Sequence, residues 1–242
     1  MDIEINNVYK DFSNSFSHFT LDIPKITFQT GLVTFIMGHN GSGKSVLLKI
    51  ISGEFQNDKK DLNIIMDKNH SKIKGFGKLL RQKATENLAL ELTVKENFII
   101  HFQAKKFIEK LLPTIYLNNY LNNKLSLNKF FVEKANQPVK ELSGGQQQTL
   151  AFFVTSSSKS KMLLLDEFLA ATDLTTTNTL LNESKKYAKE NDSSVVIVSH
   201  DIDIALEHAD KIFIFSDGQF VNELDKGKEK WGKEYLQELL RK

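Results

Sequence analysis

A chain of 242 residues, 40% of them apolar, can bury a sizeable core, and its formal net charge of +2 is too small, with lysines too dispersed, to point to nucleic acid. With no cysteine it holds neither a disulfide framework nor a thiolate metal site. The longest apolar runs, such as Met162–Leu165 and Val195–Val198, are strand-sized, and Met1–Ile5 lacks the basic start and apolar stretch of a signal peptide. A cytosolic chain is therefore expected, with any membrane role supplied by a partner.

In chain order, Ile3–Val8 and Phe19–Ile26 alternate in the manner of antiparallel strands. Gly31 then separates Ile26–Phe28 from Val33–Met37, which predicts a hairpin leading into a buried strand. A glycine-rich turn follows, and Val46, Leu47, Leu48, Ile50 and Ile51 fill one helix face that Gly53 is placed to stop. From about Lys83 to Glu141 the composition turns to Leu, Asn, Lys and Phe at helical spacing. Thr93-Val94-Lys95-Glu96 has the form of a capping box opening a helix through Asn97–Phe107, and Pro113 and Pro138 mark breaks.

Beyond this stretch, α/β alternation resumes. Gln146–Val154 and Thr175–Lys189 read as helices, Met162–Leu165 and Val195–Ser199 as strands covered on both faces. Ile202–Ala209 is a short helix, Lys211–Phe215 a strand, Asp217-Gly218 a tight hairpin turn, and the segment from Lys226 an amphipathic helix.

Three segments carry chemistry. Gly38-His39-Asn40-Gly41-Ser42-Gly43-Lys44-Ser45 fits G-x-x-x-x-G-K-[ST] between a strand and a helix. There, backbone amides of a Gly-rich loop and a helix N-terminus cradle phosphate, Lys44 reaches the β- and γ-phosphates, and the Ser45 hydroxyl ligates Mg²⁺. Met162–Leu165 ends in Asp166 and Glu167, and ligands of parallel sheets bind beyond such strand ends. Asp166 suits Mg²⁺, and Glu167 suits the water that attacks the γ-phosphate. Alone, two acids after a strand are an ordinary exposed turn; the phosphate loop changes that reading. Leu142-Ser143-Gly144-Gly145-Gln146 presents a hydroxyl and unobstructed amides at a helix start, a second anion site.

LSGGQ lying between the phosphate loop and the Asp-Glu strand resembles the signature of the ATP-binding-cassette family. The resemblance covers nearly the whole chain and implies an α/β fold: a P-loop NTPase core with a mixed or parallel sheet, an N-terminal antiparallel β subdomain and an inserted α-helical subdomain. The division it implies is 1–82 plus 159–242 for the core and 83–158 for the helical subdomain with the signature.

It further implies that Phe12, rather than Tyr9, stacks on adenine, and that Gln82 senses Mg²⁺ and the attacking water. Asp173, in Ala171-Thr172-Asp173, matches the D-loop, and His200 matches the switch histidine at the γ-phosphate. Gly38, Asn40, Gly41, Ser42, Gly43, Lys44, Ser45 and Val46 are then nucleotide contacts in one subunit. Ser143, Gly144, Gly145 and Gln146 are contacts to the partner's nucleotide. The catalytic set is Glu167, His200, Gln82 and Lys44, and the Mg²⁺ set is Ser45, Gln82 and Asp166. The remaining histidines, His18, His70, His101 and His208, show no metal spacing and are expected at the surface.

Three positions depart from the family pattern. Val46 replaces a Thr that donates toward the α-phosphate, a loss of about 0.5–1.5 kcal/mol. Thr149 stands where an Arg is usual, and the D-loop lacks its common Ser and Leu.

The resemblance implies an MgATP-hydrolysing subunit that works as a head-to-tail homodimer on a separate membrane permease. Arg81–Lys83, Leu92–Asn97, Ser143–Leu150 and Leu163–Thr172 are similar to cassettes of tryptophan/tyrosine-type import systems, which implies amino-acid import with an extracytoplasmic solute-binding protein. The rival is a soluble ATPase of the iron–sulfur assembly type acting on a cytosolic scaffold. Chromosome-organising members need long heptad arms, which the roughly sixty residues between Gln82 and Leu142 cannot supply.

Overall fold

Strands β1 (Asp2–Asp11) and β2 (Thr20–Gln29) pair antiparallel, with Ile3 opposite Phe28 and Ile5 opposite Ile26. Ile3, Ile5 and Val8 of β1 are buried, so the inward parity changes at Asn7, whose left-handed backbone (φ 62°) is one that Asn tolerates. β4 (Asn63–Met66) joins the other edge of β1, and β5 (Asn69–Ser71) follows, giving the order β2-β1-β4-β5. The structure is a computed structural model, and it describes residues 1–12, 18–66, 69–71, 76–101, 128–157, 159–170, 172–228 and 231–241.

A second sheet has the order β10-β9-β3-β8-β7-β6, built from β3 (Val33–Gly38), β6 (Gly77–Leu80), β7 (Met162–Asp166), β8 (Ser194–Val198), β9 (Lys211–Ser216) and β10 (Gln219–Asp225). β3 lies parallel between β8 and β9, β7 lies parallel to β8, and β10 returns antiparallel to β9. This corrects the hairpin expected around Gly31: β2 and β3 belong to different sheets. All six residues of β3 are buried, and a strand covered on both faces belongs at the centre of a parallel sheet.

Helix α1 (Lys44–Ser52) packs Leu47, Leu48, Ile50 and Ile51 into a core shared by Ile3, Ile23 and Phe28 of the first sheet and Ile36, Val198 and Phe213 of the second. Each such side chain contributes about 1.5–3 kcal/mol on burial. Gly53 ends the helix, its N–H reaching Ile50 O. At the β9–β10 turn the Gly218 carbonyl accepts from Asp22 N at 2.9 Å, and a Cβ on Gly218 would lie 1.9 Å from Thr20 O, so only glycine lets the hairpin meet β2 this closely.

The chain divides into two compact units. The first comprises Met1–Leu79, Ser160–Phe168 and Leu181–Lys242; it includes α6 (Ile202–His208) and α7 (Lys233–Arg241). The C-terminal helix thus starts at Lys233 rather than at Lys226, which instead forms a turn with Gly227 after β10.

The second unit, Leu80–Lys159 with Leu169–Leu180, holds α2 (Val94–His101), α3 (Asn128–Glu133) and α4 (Gly144–Ser157). The part of α5 (Leu174–Asn191) up to Leu180, about two turns, also lies here. The Thr93–Glu96 capping box forms as expected, Thr93 N donating to Glu96 Oε2 at 2.8 Å and Glu96 N to Thr93 Oγ1 at 3.2 Å. Residues 102–107 of the helix expected from this box, and Pro113, lie outside the described residues. Fully buried Asn97 is satisfied locally, taking Ala89 N at 2.8 Å and donating to Ala89 O and Thr93 O at 3.0 Å each. Phe153 packs edge-on against Phe131 and Phe152.

Candidate active site

The phosphate loop runs from the end of β3 into α1. Gly38 begins it with φ 151°, and a Cβ there would sit 2.1 Å from Phe215 O, so the loop leaves the sheet pressed against β9. The α1 N-terminus, at Gly43, has no side-chain cap, which leaves its first amides available to an anion. Lys44 is buried, and its ammonium donates to Gly38 O at 2.9 Å and His39 O at 2.7 Å, with Ser42 Oγ at 3.4 Å. Burial holds its pKa below the ordinary lysine value, opposed by Glu167 and Asp166. Phosphate oxygens would be stronger, charged acceptors for the same donors.

Ser45 Oγ donates to Asp166 Oδ1 at 2.9 Å, tying the start of α1 to the end of β7. Burial raises the Asp166 pKa, the Ser45 hydrogen bond opposes the rise, and neighbouring Glu167 adds to it. Glu167 follows with a left-handed backbone (φ 45°), and its N–H donates to Val198 O at 3.1 Å. A non-glycine residue held this way costs on the order of 1–3 kcal/mol, and here the strain turns the carboxylate off the strand end. His200, two residues beyond β8, places Nε2 2.9 Å from Glu167 Oε1.

Phe12 N donates to Phe19 O at 2.9 Å, and the Phe12 ring centroid lies 6.1 Å from those of both Phe19 and Phe55. Phe19 also underlies the phosphate loop: a Cβ on Gly43 would be 3.2 Å from its Cζ. Phe12 is 37% exposed, with the Lys10 ammonium 5.8 Å from its ring centroid, and the Lys59 ammonium lies closer over the Tyr9 ring, at 4.3 Å. Val46 packs against the core, which accounts for an apolar residue at that position.

The first unit thus brings together Phe12, Gly38, Asn40, Gly41, Ser42, Gly43, Lys44, Ser45, Val46, Asp166, Glu167 and His200. Gln82, Ser143–Gln146 and Asp173 stand in the second unit, on separate elements. Gln82 is exposed on a turn after β6. Ser143 caps α4 reciprocally with Gln146, its N–H donating to Gln146 Oε1 at 3.1 Å and its Oγ accepting from Gln146 N at 3.4 Å. Thr149, in place of Arg, donates back to Gly145 O at 2.8 Å. Asp173 caps α5, accepting from Thr176 N at 2.9 Å and Thr176 Oγ1 at 2.8 Å, bonds that hold its pKa low. Ala171 lies outside the described residues.

Two features were not read from the sequence. Asn87 clamps the turn that carries Gln82, accepting from Arg81 N at 3.0 Å and donating to Arg81 O at 3.0 Å and Lys83 O at 2.8 Å. The only signal was an Asn five residues after Gln82. His208, expected at the surface, is 6% exposed. The last turn of a short helix faces inward there, and its one-residue offset from Glu207 puts the ring on the covered side.

The profile of the ABC transporter family matches residues 21–170, more than half of the chain. The chain belongs to the ABC transporter family. The matched span holds the phosphate loop and the Asp166–Glu167 strand end. The chain is 32% identical over 109 residues to the tungstate uptake system ATP-binding protein TupC of Peptoclostridium acidaminophilum, covering 39% of this chain and 46% of that one. It is 29% identical over 233 residues to the methionine import ATP-binding protein MetN of Francisella tularensis subsp. holarctica (strain OSU18), covering 90% of this chain and 62% of that one. The match thus spans less than two thirds of either relative. Among solved structures, the dimeric post-hydrolysis state of the ATP-binding cassette MJ0796 bound to ADP and Pi superposes with a TM-score of 0.71 at 23% identity, over 92% of this chain and 98% of that one.

Proposed function

We propose that this cassette powers the movement of a substrate across a membrane through a separate permease subunit, most specifically amino-acid import. The observation that carries the reading is the joining of Lys44, Ser45, Asp166, Glu167 and His200 around one phosphate loop, in a chain whose described residues include no helix long and apolar enough to cross a membrane. The work would be done on another polypeptide, and the chain would sit peripherally on the inner face of the cell membrane. The importer names of TupC and MetN support this direction, and the amino-acid class rests on the motif resemblance given above together with the methionine named for MetN. A solute-binding protein outside the membrane would then deliver the substrate.

In this reading Lys44 neutralises charge on the β- and γ-phosphates, and Glu167 orients the attacking water or takes its proton. His200 holds that carboxylate and contacts the γ-phosphate, and Phe12 stacks on adenine. The residues fit Mg²⁺ by their chemistry: Ser45 hydroxyl and Asp166 carboxylate are adjacent hard oxygen donors, and the family resemblance would add Gln82 as a ligand. A bound ion would supply neutralisation of the phosphate charge.

The functional unit would be a head-to-tail homodimer with each ATP between one phosphate loop and the partner's signature helix. One chain carries two separate helix starts suited to anions, while each ATP has one triphosphate. A Cβ on Gly144 would meet nothing within 4 Å, so no described neighbour in this chain demands glycine there, whereas close approach from outside would.

The test is a detergent-solubilised pull-down from the native host with tagged Glu167→Gln protein and MgATP. Co-purification of a polytopic membrane protein supports the transporter reading. A soluble scaffold protein in its place overturns it in favour of a cytosolic ATPase.

A further inference from the structure

The C-terminal helix approaches the catalytic histidine. Leu240 of α7 lines a pocket of ≈ 230 Å³ together with Met37, Gly38, His39, Asn40 and His200. The helix and the residues before it are held there by two polar contacts and one buried leucine. Lys233 Nζ reaches both carboxylate oxygens of Asp203 at 2.7 Å, Trp231 Nε1 donates to Leu206 O at 3.3 Å, and Leu236 is fully buried. Asp203 and Leu206 belong to α6, which begins immediately after His200 and Asp201.

The histidine is thus fixed from two sides. Asp201 caps α6, accepting from Ile204 N at 3.0 Å, while Asp201 N donates to Ser199 Oγ at 3.1 Å, which sets the backbone on either side of His200. α6 has only seven residues, of which Ala205 and His208 are buried, so its own packing is slight. The helix α7 adds the contacts that α6 lacks. Leu236 and Leu240 are four residues apart and share a helix face, so burying the first aims the second at the pocket.

We infer that α7 positions His200, with Leu240 as the side chain that confines the imidazole beside Glu167. Leu240 is a positioning residue: it contacts no group that changes in the reaction, and it acts by limiting where the ring can go. This inference rests on the role proposed above for His200. A misplaced catalytic group costs turnover more than binding: the pocket meets the phosphate loop at Gly38, His39 and Asn40, but neither Lys44 nor the Phe12 cluster lines it.

The test compares ATPase kinetics and MgATP affinity for the wild-type chain, Leu240→Ala, Leu240→Met, His200→Ala and the Leu240→Ala/His200→Ala double variant. Leu240→Ala is expected to lower kcat about three- to tenfold with the ATP Kd within about twofold, and Leu240→Met, of similar volume, to restore most of the rate. In the His200→Ala background the same substitution should have no further effect. Should Leu240→Ala not fold, Leu240→Val carries the same comparison. An equal loss of kcat in both backgrounds, or an unchanged kcat in Leu240→Ala, overturns the positioning role while leaving the His200 assignment intact. An unchanged kcat in His200→Ala overturns both.

Discussion

His200 Nε2 and Glu167 Oε1 meet at 2.9 Å across the ends of two adjacent parallel strands, β8 and β7. The contact restrains a carboxylate whose own backbone is already held in a left-handed conformation by Val198 O. The bond and the strain act together, since a strained backbone persists only where its surroundings over-determine it. His200→Ala is therefore expected to lower kcat by about 10²-fold, with a much smaller loss of ATP affinity because Lys44 and Phe12 are untouched. Steady-state kinetics beside a nucleotide titration separates the two quantities, and a variant that loses affinity instead of rate contradicts the placement.

Lys44 has its ammonium satisfied by loop carbonyls rather than by a carboxylate. Its removal deletes charge-assisted bonds worth about 1.5–3 kcal/mol, so Lys44→Ala should weaken ATP binding at least about tenfold. A fluorescent nucleotide titration at fixed Mg²⁺ checks this, and an unchanged Kd argues against the phosphate cradle.

Asn87 makes three hydrogen bonds to the backbone of the turn that carries Gln82. In Asn87→Ala that turn should loosen, with a loss of about 1–3 kcal/mol of local stability. Amide exchange at Leu80–Glu86 should then accelerate and kcat fall severalfold. Unaltered exchange would show that the turn is set by other contacts.

His208 is buried at the end of α6, and neither ring nitrogen has a hydrogen-bond partner among the described residues. Burial holds its pKa below the ordinary histidine value, Lys185 and Lys226 add to that, and Glu207 opposes it. Between about pH 6.5 and the lowered folded value the unfolded chain binds more protons, so this contribution to stability is intact above about pH 6.5 and declines on acidification. The loss of melting temperature between pH 7.5 and pH 5.5 should be smaller in His208→Leu than in the wild type. Parallel pH profiles would show that His208 is not the group responsible.

The parts legible in the sequence are those set by local rules. The α1 stop at Gly53, the Thr93–Glu96 capping box and the Asp217-Gly218 turn are each signalled by residues adjacent in the chain, and all three form. The phosphate loop and the acids after β7 were readable for a similar reason, since a motif between a strand and a helix carries its own context.

What escaped reading depends on distant partners. The separation of β2 from β3 follows from which strands flank β3, and Val195 and Lys211, its partners in that sheet, are far along the chain. The left-handed Glu167, the inward His208 and the approach of Leu240 to His200 likewise follow from packing that no short window contains. Residues 102–127, in the stretch read as helical, lie outside the described residues.

The most direct test of the catalytic account is ATP turnover by Glu167→Gln, measured with light scattering on the same sample. The account predicts that hydrolysis falls by about 10²- to 10⁴-fold while MgATP binding survives, and that the protein accumulates as an ATP-bound dimer. Wild-type turnover in Glu167→Gln would contradict the assignment of Glu167, and with it the mechanism built on its bond to His200.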